Sequence, residues 1–130
     1  SSTSRGLGDV YKRQMLIMGH EVQDLDFLDA DVLEKVEAAG EKVVNECKKA
    51  GKAKKESEGV RIQCKAIAEF IDELFGKGTA EKLIKNGSNL FTCINVYGEV
   101  VSEIEKNKAE QNKKFDSIFD KYSIARIKRE

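Results

Sequence analysis

The chain contains no proline in 130 residues, although proline makes up about 5% of an average protein. Proline breaks helix interiors because it lacks an amide hydrogen and clashes with the preceding turn, so its absence favours long, uninterrupted helices. Charged residues form 35% of the chain, with 23 of each sign. No apolar run reaches the roughly 18–20 residues that a membrane-spanning helix needs. The composition therefore predicts one soluble, mainly α-helical domain.

Residues 1–14 differ in character from the rest of the chain. They are rich in Ser and Gly, carry a small basic cluster and lack a repeating apolar face, and Met15 follows them directly. We interpret residues 1–14 as a non-native leader, read through in frame from a vector or adapter, and as disordered rather than as an arm that binds nucleic acid. The natural start is then Met15 or Met18.

The next segment has the pattern of a β-hairpin. An apolar run from Met15 leads to Gly19-His20, after which Leu25 and Phe27 alternate with acidic residues. A glycine followed by a polar residue suits a two-residue turn. A lone hairpin is only marginally stable in water, so we expect it to pack on helices, with His20 as a turn residue and not a catalytic one.

Apolar residues then recur at spacings of three and four, which is typical of amphipathic helices. The first helix is predicted to begin after Asp29, whose carboxylate can cap it, and to end at Gly51. A second runs from about Ser57 to Phe75 and ends at two glycines. Thr79 is predicted to cap a short helix after them.

The last and longest helix is predicted to open at Ser88 or Asn89. Together these elements predict a mainly α fold, in which a small N-terminal β-hairpin packs on a helical bundle with a long C-terminal helix. The predicted core is Phe27, Val32, Val36, Val43, Cys47, Cys64, Ile67, Ile71, Leu74, Phe75, Leu83, Leu90, Ile94, Tyr97, Val101 and Ile104.

The apolar pattern of the last helix is interrupted after Ile104. Residues 105–114 are almost entirely polar, so we expect this stretch to be helical but exposed. We therefore divide the chain into a leader (1–14), a helical domain with its hairpin (15–104), and an extended C-terminal helix with a basic amphipathic tail (105–130). Apolar and basic residues return in that tail, and we predict that they bind a partner: Phe115, Ile118, Phe119, Tyr122, Ile124, Arg126 and Ile127.

The sequence offers few parts for catalysis. It has one histidine and three widely spaced cysteines, Cys47, Cys64 and Cys93, which we place on apolar helix faces as free thiols in a reducing compartment. The stretch from Gly76 to Thr79 lacks the order of a phosphate-binding loop. Paired carboxylates such as Asp72 and Glu73 fall on a polar face, where we expect them to aid solubility. We predict no catalytic residue, no metal and no cofactor.

The chain resembles a family of small proteins from the tail-gene modules of phages and prophages of Gram-positive bacteria. The similarity lies in FIDELFGKGTAEKL from Phe70, in Asn89-Leu90 with Cys93, and in Lys121-Tyr122-Ser123. Phe27-Leu28-Asp29-Ala30 also matches the family's helix start. The most specific piece is the Phe75-Gly76-x-Gly78-Thr79-Ala80 corner, and the similarity extends over residues 16–128.

The resemblance implies a protein that is close to the tail assembly chaperones. Such proteins coat the tape measure protein until tail-tube subunits polymerise around it. By this resemblance the partner is a phage tail protein, either the tape measure or the tube protein, in the cytoplasm of the bacterial host. The apolar residues of the tail also allow self-association with a second copy through the C-terminal helix. From the charge pattern and the lack of a long apolar run we expect no nucleic acid and no membrane as partner. The alternatives are a phage anti-defence or regulatory binding protein and a minor structural protein that completes the head or tail.

Overall fold

The computed structural model describes residues 14–122. Two antiparallel strands, β1 (Gln14–Ile17) and β2 (His20–Gln23), precede four helices, α1 (Ala30–Ala50), α2 (Glu56–Phe75), α3 (Thr79–Leu83) and α4 (Leu90–Tyr122). The predicted fold class is confirmed: the protein is mainly α-helical, with an N-terminal hairpin and a long C-terminal helix. Of the predicted leader, residues 1–13 lie outside the described residues, and Gln14 belongs to β1.

The hairpin turn consists of Met18 and Gly19, one residue earlier than predicted. His20 is therefore the first residue of β2, where it pairs with Ile17. The backbone φ angles of Met18 and Gly19 are 52° and 82°. Two positive φ angles are characteristic of the tight type I′ turn, whose twist matches that of the strands. The expectation that His20 lies in the turn is wrong because the glycine occupies the second turn position.

Helix α1 begins and ends where its capping residues predict. The Asp29 carboxylate accepts hydrogen bonds from the backbone amides of Asp31, at 2.8 Å, and Val32, at 3.4 Å. Gly51 follows the last helical residue. These caps satisfy amides and carbonyls that have no partner within the helix.

Helices α1 and α2 pack side by side as an antiparallel pair. Gly59, near the start of α2, lies against the end of α1, where a Cβ atom added to it would stand 3.1 Å from the Ala50 carbonyl oxygen. At the other end, Lys42 forms an ion pair of 3.1 Å with Glu73. Both side chains are exposed to solvent, so this ion pair adds little stability. The close backbone contact at Gly59 is the more restrictive feature.

The corner between α2 and α3 depends on two glycines and one carboxylate. Gly76 and Gly78 have φ angles of 108° and 94°, in the region that favours glycine. The Asp72 carboxylate accepts a 2.8 Å hydrogen bond from the Ala80 amide, and the Thr79 hydroxyl donates to the Gly76 carbonyl at 2.7 Å. The prediction that α2 ends at these two glycines is confirmed. Thr79 is the first residue of α3 and not its cap. Asp72 was expected to aid solubility, but its hydrogen bond to the Ala80 amide also stabilises the corner.

One hydrophobic core joins the hairpin to all four helices. Its most enclosed α4 side chains, Cys93 and Val100, have no exposed surface, and the Phe70 and Tyr97 rings meet edge to face with centroids 5.2 Å apart. Most of the predicted core is confirmed as buried: Phe27, Val43, Cys64, Ile67, Ile71, Leu74, Phe75, Leu83 and Ile104. Val32, Val36, Leu90, Tyr97 and Val101 are partly buried.

Two predicted core residues, Cys47 and Ile94, are exposed. A step of four residues turns a helix position by about 40°, so Cys47 has moved off the line that contains Val43 and Ala50 takes its place. Ile94 lies about 100° around α4 from the buried Cys93. The apolar face of α4 is broader than the surface that the rest of the protein covers, and the sequence pattern alone does not separate the two parts.

Candidate protein-binding surface

Helix α4 carries a continuous face that runs from the core to the end of the described chain. Cys93, Val96, Val100 and Ile104 are its buried part. The same face continues, in steps of three and four, through Asn107, Gln111, Phe115, Ile118 and Tyr122. No residue of α4 between 105 and 122 is fully buried. The core face of α4 therefore extends past the core and becomes apolar again near the end of the helix.

We call Phe115, Ile118, Phe119 and Tyr122 the C-terminal stripe. Ile118 is 52% exposed and Tyr122 is 63% exposed, whereas Phe115 and Phe119 are half-buried. The Phe115 and Phe119 rings contact one another, with centroids 4.6 Å apart. The structure thus brings together four of the seven residues that were predicted to bind a partner. Ile124, Arg126 and Ile127 lie outside the described residues, and their role stays a prediction.

Gln111 attaches this part of α4 to the segment between β2 and α1. Its side-chain amide donates to the Leu25 carbonyl oxygen at 2.8 Å, and its side-chain oxygen accepts from the Phe27 amide at 2.7 Å. A single side chain therefore satisfies two backbone groups of the segment between β2 and α1. This contact fixes the position of α4 one turn before the C-terminal stripe.

The role of Gln111 was not predicted, because the polar character of residues 105–114 predicts uniform exposure. Asn107, Lys108, Gln111 and Asn112 are half-buried, so that expectation is wrong for one side of the helix. The Asn107 side chain also donates to the Glu103 carbonyl oxygen at 2.8 Å. One feature of the sequence could have indicated the contact made by Gln111. Asn107 and Gln111 have uncharged amide side chains, and their spacing places them on the same helix face as the buried residues before them and the C-terminal stripe after them.

A shallow groove of about 350 Å³ lies between the β2–α1 segment, α1 and the end of α2. Its lining includes Asp24, Asp26, Lys35 and Glu73. Both aspartates hold the loop backbone: Asp24 accepts from the Leu25 amide at 2.9 Å, and Asp26 accepts from the Leu28 amide at 3.0 Å. The two aspartates of the groove thus have a local role in shaping the loop.

The three cysteines differ in their environment. Cys47 is exposed, whereas Cys64 and Cys93 are buried. Burial, with a smaller contribution from the neighbouring Cys64 thiol, raises the pKa of Cys93 from 9.0 to about 11. A thiol that stays protonated at neutral pH is a weak nucleophile. Among residues 14–122, no group of three or more His, Cys, Asp or Glu side chains is placed to hold a metal ion.

Comparison with known proteins places the chain in a family. The features above define a small helical protein whose most distinctive surface is an apolar helix face. Residues 18–130 match the model of a family of unknown function, DUF6673, and the chain belongs to that family. No curated protein and no solved structure matches the chain. In the part of the chain that the structure describes, no helix is both long and apolar enough to cross a membrane.

Proposed function

We propose that this chain is a non-enzymatic binding protein that holds an amphipathic helix of another protein against the C-terminal stripe. The observation that carries the proposal is the continuation of the core face of α4 beyond Gln111. An apolar helix face with polar edges is one of the standard surfaces for recognising a second amphipathic helix. Lys113, Lys114 and Asp120 are exposed in the same part of α4 and supply such polar edges.

The partner that we propose is a phage tape measure protein, which makes this chain a tail assembly chaperone. The support for this step is the resemblance to proteins of tail-gene modules. Tape measure proteins are long and helical, so a repeated apolar helix face is available to many copies of a small binder. Binding and release would then take place in the cytoplasm of the infected host.

The size of the C-terminal stripe suits a chaperone that must later let go. Complete burial of four such side chains contributes at most about 6–12 kcal/mol. Phe115 and Phe119 are already half-buried, which reduces this gain. Association costs about 4–15 kcal/mol in lost freedom of motion, so the net affinity of one copy is modest. Polymerising tube subunits can displace a binder of modest affinity.

Gene order is the first test of the proposed partner. A tail assembly chaperone gene lies between the major tail protein gene and the tape measure gene. We expect the gene for this chain at that place in its genome. A location among anti-defence genes would instead support the regulatory alternative, and a location beside head or tail completion genes would support the structural one.

Co-expression with the tape measure protein of the same genome tests the surface itself. We expect the wild-type chain to keep the tape measure protein soluble and to co-purify with it. Ile118→Asp should abolish both effects because it places a charge in the C-terminal stripe. Ser117→Asp is the matched control, since Ser117 is exposed on a different side of the same turn. Equal co-purification of both variants would contradict the proposal.

Deletion of residues 115–130 separates binding from folding. We expect the shortened chain to remain helical and cooperatively folded, because no core residue lies beyond Ile104 in the described chain and Gln111 is retained. It should no longer co-purify with the tape measure protein. If the shortened chain unfolds, the C-terminal stripe belongs to the core and is not a binding surface.

A further inference from the structure

Helix α4 carries a second regularity, which shares only Phe115 and Tyr122 with the face described above. Alternate steps of three and four residues, the heptad spacing of coiled coils, select a line of ten positions that runs almost the full length of the helix. None of them is fully buried. They are Phe91, Ile94, Gly98, Val101, Glu105, Lys108, Asn112, Phe115, Phe119 and Tyr122. We call this line the α4 heptad line.

The α4 heptad line is complementary to itself when it is read in the opposite direction. Two copies that run antiparallel and share a centre between Glu105 and Lys108 place large apolar residues opposite one another near both ends. The facing pairs are Phe91 with Tyr122, Ile94 with Phe119, Gly98 with Phe115, Val101 with Asn112, and Glu105 with Lys108. A two-fold axis repeats every pair, as a closed dimer requires.

We propose that α4 forms an antiparallel coiled coil with α4 of a second copy of this chain. The two-fold axis passes between Glu105 and Lys108. The partner in this proposal is a second, identical copy of the chain. The inference follows from the register of α4 and does not depend on the proposed tape measure partner.

The charges at the centre favour the antiparallel direction. Within one chain the Lys108 ammonium nitrogen lies 3.8 Å from a Glu105 carboxylate oxygen, with the two side chains 36% and 67% exposed. In the antiparallel pair each of them also faces its opposite charge on the second copy. In a parallel, in-register pair each charge would instead face its own kind, which is unfavourable.

The ends of the α4 heptad line supply the apolar contact. Phe91 is 80% exposed and Ile94 is 49% exposed, so these two apolar side chains are available for contact with a second copy. A Cβ atom added to Gly98 would meet no atom within 4 Å, so the surface there is open and can receive the larger Phe115 ring of the second copy. Apolar residues thus stand at both ends, with the polar residues between them.

The length of α4 suits a stable dimer. A helix of 33 residues is about 50 Å long. Stable interfaces bury about 800 Å² and roughly 20–30 residues on each side. The ten positions of the α4 heptad line, with the residues that flank them, reach the lower end of that range. A dimer would also cover Phe115, Phe119 and Tyr122, so a second copy and any other partner compete for them.

Charge reversal tests both the partner and the direction. Sedimentation velocity over a series of concentrations, with the full chain alone, should show a dimer. Glu105→Lys and Lys108→Glu each place like charges opposite one another in both central layers. We expect each variant to raise the dissociation constant by about tenfold or more. The double variant carrying both reversals should dimerise as the wild type does.

An equimolar mixture of the two single variants separates contacts between chains from contacts within one. Each variant has lost the ion pair inside its own helix, but the mixture again places Lys opposite Glu across the interface. We expect the mixture to form a heterodimer of nearly wild-type affinity, while each variant alone shows unchanged helix content by circular dichroism. Failure of the mixture to recover, or a wild-type chain that sediments as a monomer at every concentration, would overturn the proposal.

Discussion

Gln111 offers the sharpest test of how α4 is held, because one side chain makes both contacts with the β2–α1 segment. Gln111→Ala removes the donor to the Leu25 carbonyl and the acceptor for the Phe27 amide. A typical hydrogen bond contributes about 0.5–1.5 kcal/mol net, and a buried backbone group left without a partner costs about 1–3 kcal/mol. Both bonds are only partly buried, so water can replace part of the loss. We expect the free energy of unfolding to fall by about 2 kcal/mol.

Urea unfolding followed by circular dichroism measures this change, and amide hydrogen exchange locates it. The Phe27 amide should lose its protection in Gln111→Ala. In Gln111→Glu it should stay protected, because a carboxylate oxygen can still accept that hydrogen bond while the contact to the Leu25 carbonyl is lost. Glu110→Ala is the control, since Glu110 is an exposed neighbour on α4. The reasoning fails if Gln111→Ala changes stability by less than about 0.5 kcal/mol and leaves the exchange of the Phe27 amide unaltered.

Met18→Asn should raise the free energy of unfolding in urea by about 0.5–1 kcal/mol, because asparagine accepts the positive φ of this turn more readily than methionine; an unchanged midpoint would contradict the turn assignment. Burial raises the pKa of the Cys93 thiol from 9.0 to about 11, so between these pH values the thiol is ionised in the unfolded chain but protonated in the folded one. The free energy of unfolding should therefore fall as the pH rises through this window, and Cys93→Ala should make that fall smaller. If the coiled coil competes with the tape measure protein, Glu105→Lys should increase the amount of tape measure protein retained per chain in co-purification; a decrease would show that the dimer is the form that binds it.

Much of the fold can be predicted from the sequence because its signals are local. Asp29 and Gly51 mark the ends of α1 through capping, and Gly76 ends α2 through its backbone conformation. The spacing of Ile67, Ile71 and Leu74 predicts a buried line that the structure confirms. In each case the residues that decide where a helix ends, or which side of it is buried, lie close together in the sequence.

The contacts between distant segments could not be predicted in the same way. Ile94 and Val96 are both apolar and both lie in α4, yet only Val96 is buried, because the positions of α2 and β1 decide which side of α4 is covered. The role of Gln111 depends on a loop more than eighty residues earlier in the chain. The C-terminal stripe was recognisable from its spacing, whereas its connection to the core through Gln111 appears only in three dimensions.

The bond between Gln111 and the β2–α1 segment also bears on the order in which the protein forms during synthesis. The hairpin is synthesised before the four described helices, but an isolated two-stranded hairpin is only marginally stable. The two hydrogen bonds between Gln111 and the β2–α1 segment, which follows the hairpin, join residues that are 84 and 86 positions apart in the chain. Helices α1 and α2 depend on neighbouring residues and can pair much earlier. The β2–α1 segment is therefore synthesised before the helices but completed only after most of α4 has emerged.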